Sequence, residues 1–180
     1  MSFVGKFIEP SIVSSHFHFK EGDVVADFGA GSGFFLKFLS EQTGSEGKVY
    51  ACEIQKQLVE KIEDFIRLSG LQNVSTLWCD LEESGGIKLS DSSLDAGILV
   101  NVLFLLEQKE VAIREMRRVI KTGGTLHIID WAVAYGGIGP STKNFVSKEK
   151  AVALLETLGF VLDREYVAGA HHYGLAFKKV

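Results

Sequence analysis

Short apolar runs alternate with stretches of helical period over the first 130 residues. Five of these runs predict strands: Val24–Phe28, Lys48–Glu53, Val74–Cys79, Leu94–Val100 and Thr125–Trp131. Several are apolar at consecutive positions, as in parallel strands that are covered on both faces. Strands that alternate with helices in this way are typical of a doubly wound parallel sheet.

Three further stretches have the apolar spacing of helices. The first repeats at i, i+4, i+7 and i+8 from Leu58 and ends before Gly70. The second ends at the Gly123-Gly124 pair. The third begins after Ser147, a suitable N-cap, and ends at Gly159.

The end of the chain breaks this alternation. Phe160–Val167 and His172–Lys179 predict two strands that are separated only by Ala168–His171. Because so short a turn cannot make a parallel crossover, the two strands form an antiparallel hairpin. The fold class is therefore α/β, with a doubly wound, mostly parallel seven-stranded Rossmann-like sheet that ends in an antiparallel edge hairpin.

Length, charge and composition exclude several classes of protein for this chain. The length of 180 residues favours one domain, and the net charge of −4 without a long basic run argues against nucleic acid as a partner. The longest nearly apolar run, Ala96–Leu106, is too short to span a bilayer. The N-terminus lacks the order of a signal peptide, and Cys52 and Cys79 form no disulfide framework, so we expect a cytoplasmic protein.

The strongest local motif is a three-glycine turn that follows the first predicted strand directly. Gly29, Gly31 and Gly33 allow positive φ and close approach of a ligand to the backbone, and a helix is predicted to begin near Gly33. A tight strand-to-helix turn without a ligand is the alternative.

Three acids lie at or just after the ends of successive predicted strands, and each suits one part of a ligand. Asp27 would repel a pyrophosphate but suits an ammonium group. Glu53 is placed to accept hydrogen bonds from both hydroxyls of a ribose, unless it is a solvated strand end. Asp80 is placed to accept from an adenine amino group while Leu81 packs on the ring, although a role in a turn is the alternative for Asp80.

An ammonium group, a ribose and an adenine together describe S-adenosylmethionine. The chain resembles the class I S-adenosylmethionine-dependent methyltransferases, most of all the small branch of quinone-biosynthesis and arsenite methyltransferases. The motifs that carry this resemblance occur in the family's order: Asp27–Gly33, Glu53, Asp80, Leu94–Asn101 and Arg118–Leu126.

The resemblance implies that the cofactor is S-adenosylmethionine, with S-adenosylhomocysteine as the product. It also implies one methyltransferase domain over residues 1–180: an N-terminal cover segment (1–22), a cofactor-binding core (23–131), a substrate-side loop (132–146), and a helix with the closing hairpin (147–180). The residues predicted to bind the cofactor are Asp27, Phe28, Gly29, Ala30, Gly31, Gly33, Glu53, Ile54, Asp80, Leu81 and Asn101.

The methyl acceptor is less defined by the sequence. We expect an in-line displacement onto a small, apolar or aromatic molecule, for which a general base is optional because an acceptor that is already nucleophilic needs only alignment. Candidate catalytic residues are His171, His172 and Tyr135, with two solvated turn histidines as the alternative to a base that titrates near neutral pH. His127 is predicted to be a packed core histidine, and no metal site is predicted.

Two other functions remain open from the sequence. One is a non-catalytic subunit that binds S-adenosylmethionine, since it would keep the same cofactor motifs. The other is an NAD-dependent oxidoreductase, although its fingerprint requires a glycine near position 34, where Phe34 stands. The sequence also leaves open whether the protein forms a homo-oligomer.

The N-terminal segment alternates Phe and His around Phe17. We expect it either to cover the cofactor or to dock on the domain as an amphipathic edge.

Overall fold

A computed structural model describes residues 8–133, 139–141 and 143–180 of the chain. The strands are β1 (Val24–Phe28), β2 (Lys48–Glu53), β3 (Val74–Trp78), β4 (Leu94–Val100), β5 (Ile120–Trp131), β6 (Phe160–Gly169) and β7 (His172–Lys179). The helices are α1 (Pro10–Val13), α2 (Leu36–Thr43), α3 (Lys56–Ser69), α4 (Lys109–Val119) and α5 (Lys148–Thr157), and a 3₁₀ turn covers Ser14–His16.

The seven strands form one sheet in the order β3-β2-β1-β4-β5-β7-β6. Strands β1 to β5 pair in parallel, and β7 runs antiparallel to both β5 and β6. The predicted fold class is therefore confirmed. Strand order reverses between β1 and β4, and the turn from β6 to β7 lies at the carboxyl edge, where open α/β sheets bind ligands.

Both faces of the sheet are covered, which explains the consecutive apolar positions in its strands. Apolar residues of α4 and α5, such as Met116 and Leu155, pack on one face. Residues of α2 and α3, such as Leu36 and Ile62, pack on the other face together with Phe17 from the N-terminal segment. Among the described residues, no helix is long and apolar enough to cross a membrane.

The predicted end of α4 at Gly123-Gly124 is wrong. Helix α4 ends at Val119, and β5 already begins at Ile120. Ile120 pairs with Leu94 whereas Thr125 pairs with Ala96, so residues 121–124 bulge out of the ladder. The glycines serve this bulge, in which Gly123 has a φ of +79°.

Three smaller boundaries also differ from prediction. Strand β6 ends at Gly169, two residues beyond its predicted end at Val167. Helix α2 begins at Leu36 rather than near Gly33, because Gly31 and Gly33 have positive φ values that a right-handed helix does not accommodate. Strand β3 ends at Trp78, one residue before its predicted end at Cys79. The predicted N-cap is confirmed, since the Ser147 hydroxyl accepts from the Lys150 amide at 3.3 Å.

The N-terminal segment docks along the sheet face beside α2. The Gln42 side-chain amide donates to the Ser14 carbonyl at 2.7 Å, and Arg164 donates to the His16 carbonyl at 2.7 Å. Phe17 is buried against His127, with ring centroids 4.9 Å apart. The docked edge is therefore present in the described part of this segment.

His127 is a core histidine, as predicted. It is fully buried in β5, and its Nδ1 lies 3.2 Å from the Tyr166 hydroxyl. Burial, helped by the nearby Arg164 guanidinium, lowers the pKa of His127 to about 3, so the ring is neutral at physiological pH.

Candidate functional site

A cavity of about 760 Å³ opens at the carboxyl edge of the sheet. Six strands contribute to it at or just beyond their ends, three on each side of the point where strand order reverses. The polar residues that these strands place in the wall are Asp27, Glu53, Asp80, Asn101 and His172, joined by the Trp131 indole. The volume lies within the range of small-molecule and cofactor pockets.

The glycine loop forms one wall of this cavity. The amides of Gly29 and Ala30 both donate to the Cys52 carbonyl at 2.9 Å, which ties the loop to the end of β2. A Cβ at Gly29 would lie 2.6 Å from Cγ2 of Val102, and φ there is +77°. Only glycine fits this position, because the loop passes so close to the segment after β4.

Asp27 places a buried carboxylate in the cavity wall. Its residue is 3% exposed, and no group in the described part of the chain donates a hydrogen bond to its carboxylate. Burial and, second, the neighbouring Glu53 charge raise the pKa of Asp27 to about 7. A carboxylate in this state favours a cationic ligand, because a positive charge would stabilise the ionised form.

Glu53 is held in place by three backbone amides. Its Oε2 accepts from the Gly31 amide at 3.0 Å, and its Oε1 accepts from the Ile54 and Gln55 amides, both at 2.9 Å. The residue is only 6% exposed. The solvated strand end considered from the sequence is therefore wrong, and Oε2 keeps room for a further donor such as a ribose hydroxyl.

Replacing Glu53 with alanine is expected to weaken both the loop and ligand binding. Three amides lose a charged acceptor, so we expect the free energy of unfolding to fall by about 2–4 kcal/mol and S-adenosylmethionine to bind at least about tenfold more weakly. Urea unfolding and calorimetric titration measure the two effects.

The matched control for this variant is Glu60→Ala on the exposed side of α3. It removes the same charge without touching the loop, so neither quantity is expected to change appreciably. Equal stability and affinity in Glu53→Ala and wild type would show that the amide contacts contribute nothing.

Asp80, the third acid, takes part in a turn and also lines the cavity. The Asp80 carboxylate accepts from the Glu82 amide at 2.8 Å, which makes a turn, and the residue also lines the cavity beside Leu81.

Two cysteines also line the cavity. Cys52 and Cys79 are both free and buried. The hydrogen bond to Cys79 and burial raise the pKa of the Cys52 thiol well above its usual value, so this thiol stays protonated.

Most of the predicted cofactor residues meet in this cavity. Asp27, Gly29, Ala30, Gly31, Glu53, Ile54, Asp80, Leu81 and Asn101 all line it. Among the described residues, Phe28 and Gly33 do not: Phe28 is fully buried beneath Gly97, and Gly33 packs against Leu36.

The candidate catalytic residues separate in the structure. His172 lines the cavity, His171 is not among the residues that line it, and Tyr135 lies outside the described residues. The hairpin turn does not hold two solvated histidines, because His172 is only 4% exposed. Burial lowers the pKa of His172 to about 4, so its ring is neutral and not poised to take a proton near pH 7.

A further acid fastens the segment that follows β4. Asp130 is buried and accepts from the Trp131 amide at 2.7 Å and from the Phe104 amide at 3.1 Å. Burial raises the pKa of Asp130 to about 6. This carboxylate holds the segment around Phe104 against β5 and thereby shapes the wall that Val102 and Leu105 contribute.

Phe34 is a cavity residue that sequence reasoning missed. Its side chain is 59% exposed although it lies in the glycine loop and lines the cavity. Leu105, which is 60% exposed, lines the cavity as well. The signal for Phe34 in the sequence is its position, directly after the last glycine of the glycine loop.

Comparison with known proteins agrees with this geometry. The model of the methyltransferase-domain family matches residues 26–128. The ubiquinone/menaquinone biosynthesis C-methyltransferase UbiE of Neisseria meningitidis is 29% identical over 121 residues, which are 66% of this chain and 46% of that protein. The chain thus spans about half the length of the curated relatives it matches.

Solved structures extend the likeness to nearly the whole chain. A SAM dependent methyltransferase from Aquifex aeolicus superposes with a TM-score of 0.88 at 30% identity, over 96% of this chain and 90% of that one. The [4+2]-cyclase SpnF superposes with a TM-score of 0.81 at 16% identity, over 94% of this chain and 80% of that one, which shows a shared fold alone. The chain belongs to the class I S-adenosylmethionine-dependent methyltransferases.

Proposed function

We propose that this chain transfers the methyl group of S-adenosylmethionine, by in-line displacement, to a small and mostly apolar acceptor. The observation that carries the proposal is a division of the cavity wall. All the charged residues among the described lining residues, Asp27, Glu53, Asp80 and Glu82, belong to the half formed by β1, β2 and β3. The described lining residues of the half formed by β4, β5 and β7 carry no charge.

The charged half fits the cofactor. S-adenosylmethionine supplies an activated methyl group on a sulfonium, and it carries an ammonium group as well. Asp27 offers a buried carboxylate without a hydrogen-bond donor in the described chain, which suits a cation. Glu53 is fixed by backbone amides with one oxygen still able to accept, and Leu81 is buried beside Asp80 where a flat ring can pack.

The uncharged half supports an apolar acceptor. Its described lining residues are Val100, Asn101, Val102, Leu105, Leu106, Trp131 and His172, and Phe34 and Ile8 are further apolar residues that line the cavity. An ionic acceptor would lose its hydration here without a charged partner, which is costly. The exposed rings and methyl groups of Phe34 and Leu105 provide apolar surface along the same wall.

In this proposal, the residues of the uncharged half position the acceptor and exclude water from it. An acceptor that is already nucleophilic needs alignment with the methyl group rather than a strong base. The curated relatives are named as C-methyltransferases of quinone biosynthesis, which favours a carbon acceptor in a ring. The likeness to a [4+2]-cyclase is one of fold, so that reaction gains no support from the site.

The first experiment is a calorimetric titration of dialysed protein with S-adenosylmethionine, S-adenosylhomocysteine and NAD. Micromolar affinity for the two adenosyl ligands, without binding of NAD, is the expected result. Binding of NAD without binding of either adenosyl ligand would contradict the proposal. Incubation with methyl-labelled S-adenosylmethionine and a panel of neutral and ionic ring compounds then tests transfer, and label confined to ionic compounds would contradict the apolar acceptor.

A further inference from the structure

The His172 ring has two buried nitrogen atoms that no described residue satisfies. The residue is 4% exposed, it lines the cavity, and neither ring nitrogen has a hydrogen-bond partner among the described residues. Buried polar atoms in native proteins nearly always have a partner, and leaving one without costs free energy. An unpartnered imidazole in a cavity wall therefore indicates a site that a polar ligand atom completes.

The imidazole is firmly positioned. His172 is the first residue of β7 and pairs with Trp131 at the end of β5. The two rings are in contact, with centroids 4.3 Å apart and planes inclined by 42°. The Ala132 amide also donates to the His171 carbonyl at 2.7 Å, so the turn before His172 is tied to the segment after β5. A ring held in this way loses little entropy when it binds a ligand.

The chemistry of the surroundings limits what the ring can recognise. The described cavity residues on this side carry no charge, and the neutral ring has one donor and one acceptor nitrogen. Asn101 adds a second unsatisfied group, since its buried Oδ1 also has no partner in the described chain. Its backbone is held in the left-handed region, with φ of +56°. The His172 ring, with one donor and one acceptor, suits a neutral ligand that carries a hydroxyl.

We propose that His172, supported by the Trp131 ring, recognises a hydroxyl group on a neutral planar acceptor. This inference rests on the proposed function, because it assigns the uncharged half of the cavity to the acceptor. His172 is a specificity residue in this role: it holds the acceptor oxygen by a hydrogen bond and thereby sets the orientation of the ring toward the methyl group. Apolar ring compounds without such an oxygen are bound less well.

The test compares two matched probes on the protein saturated with S-adenosylhomocysteine. The probes are 4-ethylphenol and 4-ethyltoluene, which differ in the replacement of a hydroxyl by a methyl group. We expect the wild type to bind 4-ethylphenol at least about fivefold more tightly, as one buried hydrogen bond allows. We also expect the ¹⁵N resonances of the His172 ring to shift with 4-ethylphenol but not with 4-ethyltoluene.

Two variants separate recognition from structure. His172→Phe keeps an aromatic ring beside Trp131, so it should abolish the preference while the affinity for S-adenosylhomocysteine stays within twofold of wild type. His172→Gln keeps a donor and an acceptor and should retain part of the preference. An unchanged preference in His172→Phe would overturn the inference, and so would a wild type that binds S-adenosylhomocysteine but neither probe. Failure to bind S-adenosylhomocysteine would instead refute the proposed function.

Discussion

Replacing Asp27 with asparagine is expected to weaken the binding of S-adenosylmethionine by at least about 100-fold and, at the same time, to stabilise the ligand-free protein. The buried carboxylate has no hydrogen-bond donor in the described chain, so its charge is a cost until a cation arrives. The amide has the same shape without that charge. Binding and stability therefore change in opposite directions at one residue.

The pH dependence follows from the direction of the pKa shift. Burial and Glu53 raise the pKa of Asp27 from 3.8 to about 7, so the folded protein binds a proton that the unfolded chain has already released. The contribution of this group to stability accordingly falls as pH rises from about 4 to about 7, by up to about 4 kcal/mol. Above pH 7 the full cost is present, and Asp27→Asn removes it.

Two measurements check this prediction. In urea unfolding, the stability gained by Asp27→Asn should be larger at pH 8 than at pH 5. In calorimetry, the affinity of the wild type for S-adenosylmethionine should increase from pH 5 to pH 8 more than that of the variant, because a cation binds the ionised carboxylate. Asp64→Asn, which removes an exposed carboxylate from α3, serves as the control and should show neither effect. A variant that binds as tightly as wild type would contradict the role of Asp27.

The sheet could be predicted from the sequence because each strand carries its own signal. The runs that form β1, β2 and β4 are apolar at consecutive positions, and their predicted bounds agree with the structure. The end of α4 could not be predicted in this way. A glycine pair interrupts a helix and a strand alike, and the bulge at residues 121–124 exists because Ile120 pairs with Leu94, a residue distant in the chain.

The site also combines features that have a local sequence signal with features that depend on residues distant in the chain. The glycine loop and the three acids lie at or just after the ends of strands, so parallel pairing alone brings them to one edge of the sheet. The sequence therefore predicts Asp27, Glu53 and Asp80 together. Two of the amides that hold Glu53 are its neighbours in the chain, but the third, that of Gly31, comes from a loop 22 residues earlier, and no local pattern reveals this contact. The burial of His172 depends on its pairing with Trp131 across β5 and β7, which the hairpin sequence does not specify.

Gly97 is a residue whose importance only the structure reveals. It lies in β4, paired with Ala26 and Leu126, at the centre of the sheet. A Cβ at this position would overlap the Phe28 ring, with Cδ2 at 3.1 Å and Cζ at 3.3 Å. Phe28 is fully buried and stands between Asp27 and Gly29 in the chain, so it cannot move away without displacing the glycine loop.

Gly97→Ala is therefore expected to lower the free energy of unfolding by about 3 kcal/mol, a large effect for one added methyl group. For a domain of this size, the corresponding fall in Tm is about 6–12 °C. We also expect weaker binding of S-adenosylmethionine, because the displaced ring shifts Asp27. Gly70→Ala is the control: its position is open and only its φ of +66° is strained, so about 1 kcal/mol is expected.

A double-mutant cycle identifies the cause of this effect. If the methyl group acts through the Phe28 ring, Phe28→Leu should recover part of the stability lost in Gly97→Ala, although by itself it destabilises the wild type. The calorimetric affinity for S-adenosylmethionine should recover with it, because both properties depend on the same displaced ring. Strictly additive losses would show that Gly97 is needed for another reason, such as the backbone conformation of β4, and that the glycine loop does not depend on the contact between Gly97 and Phe28.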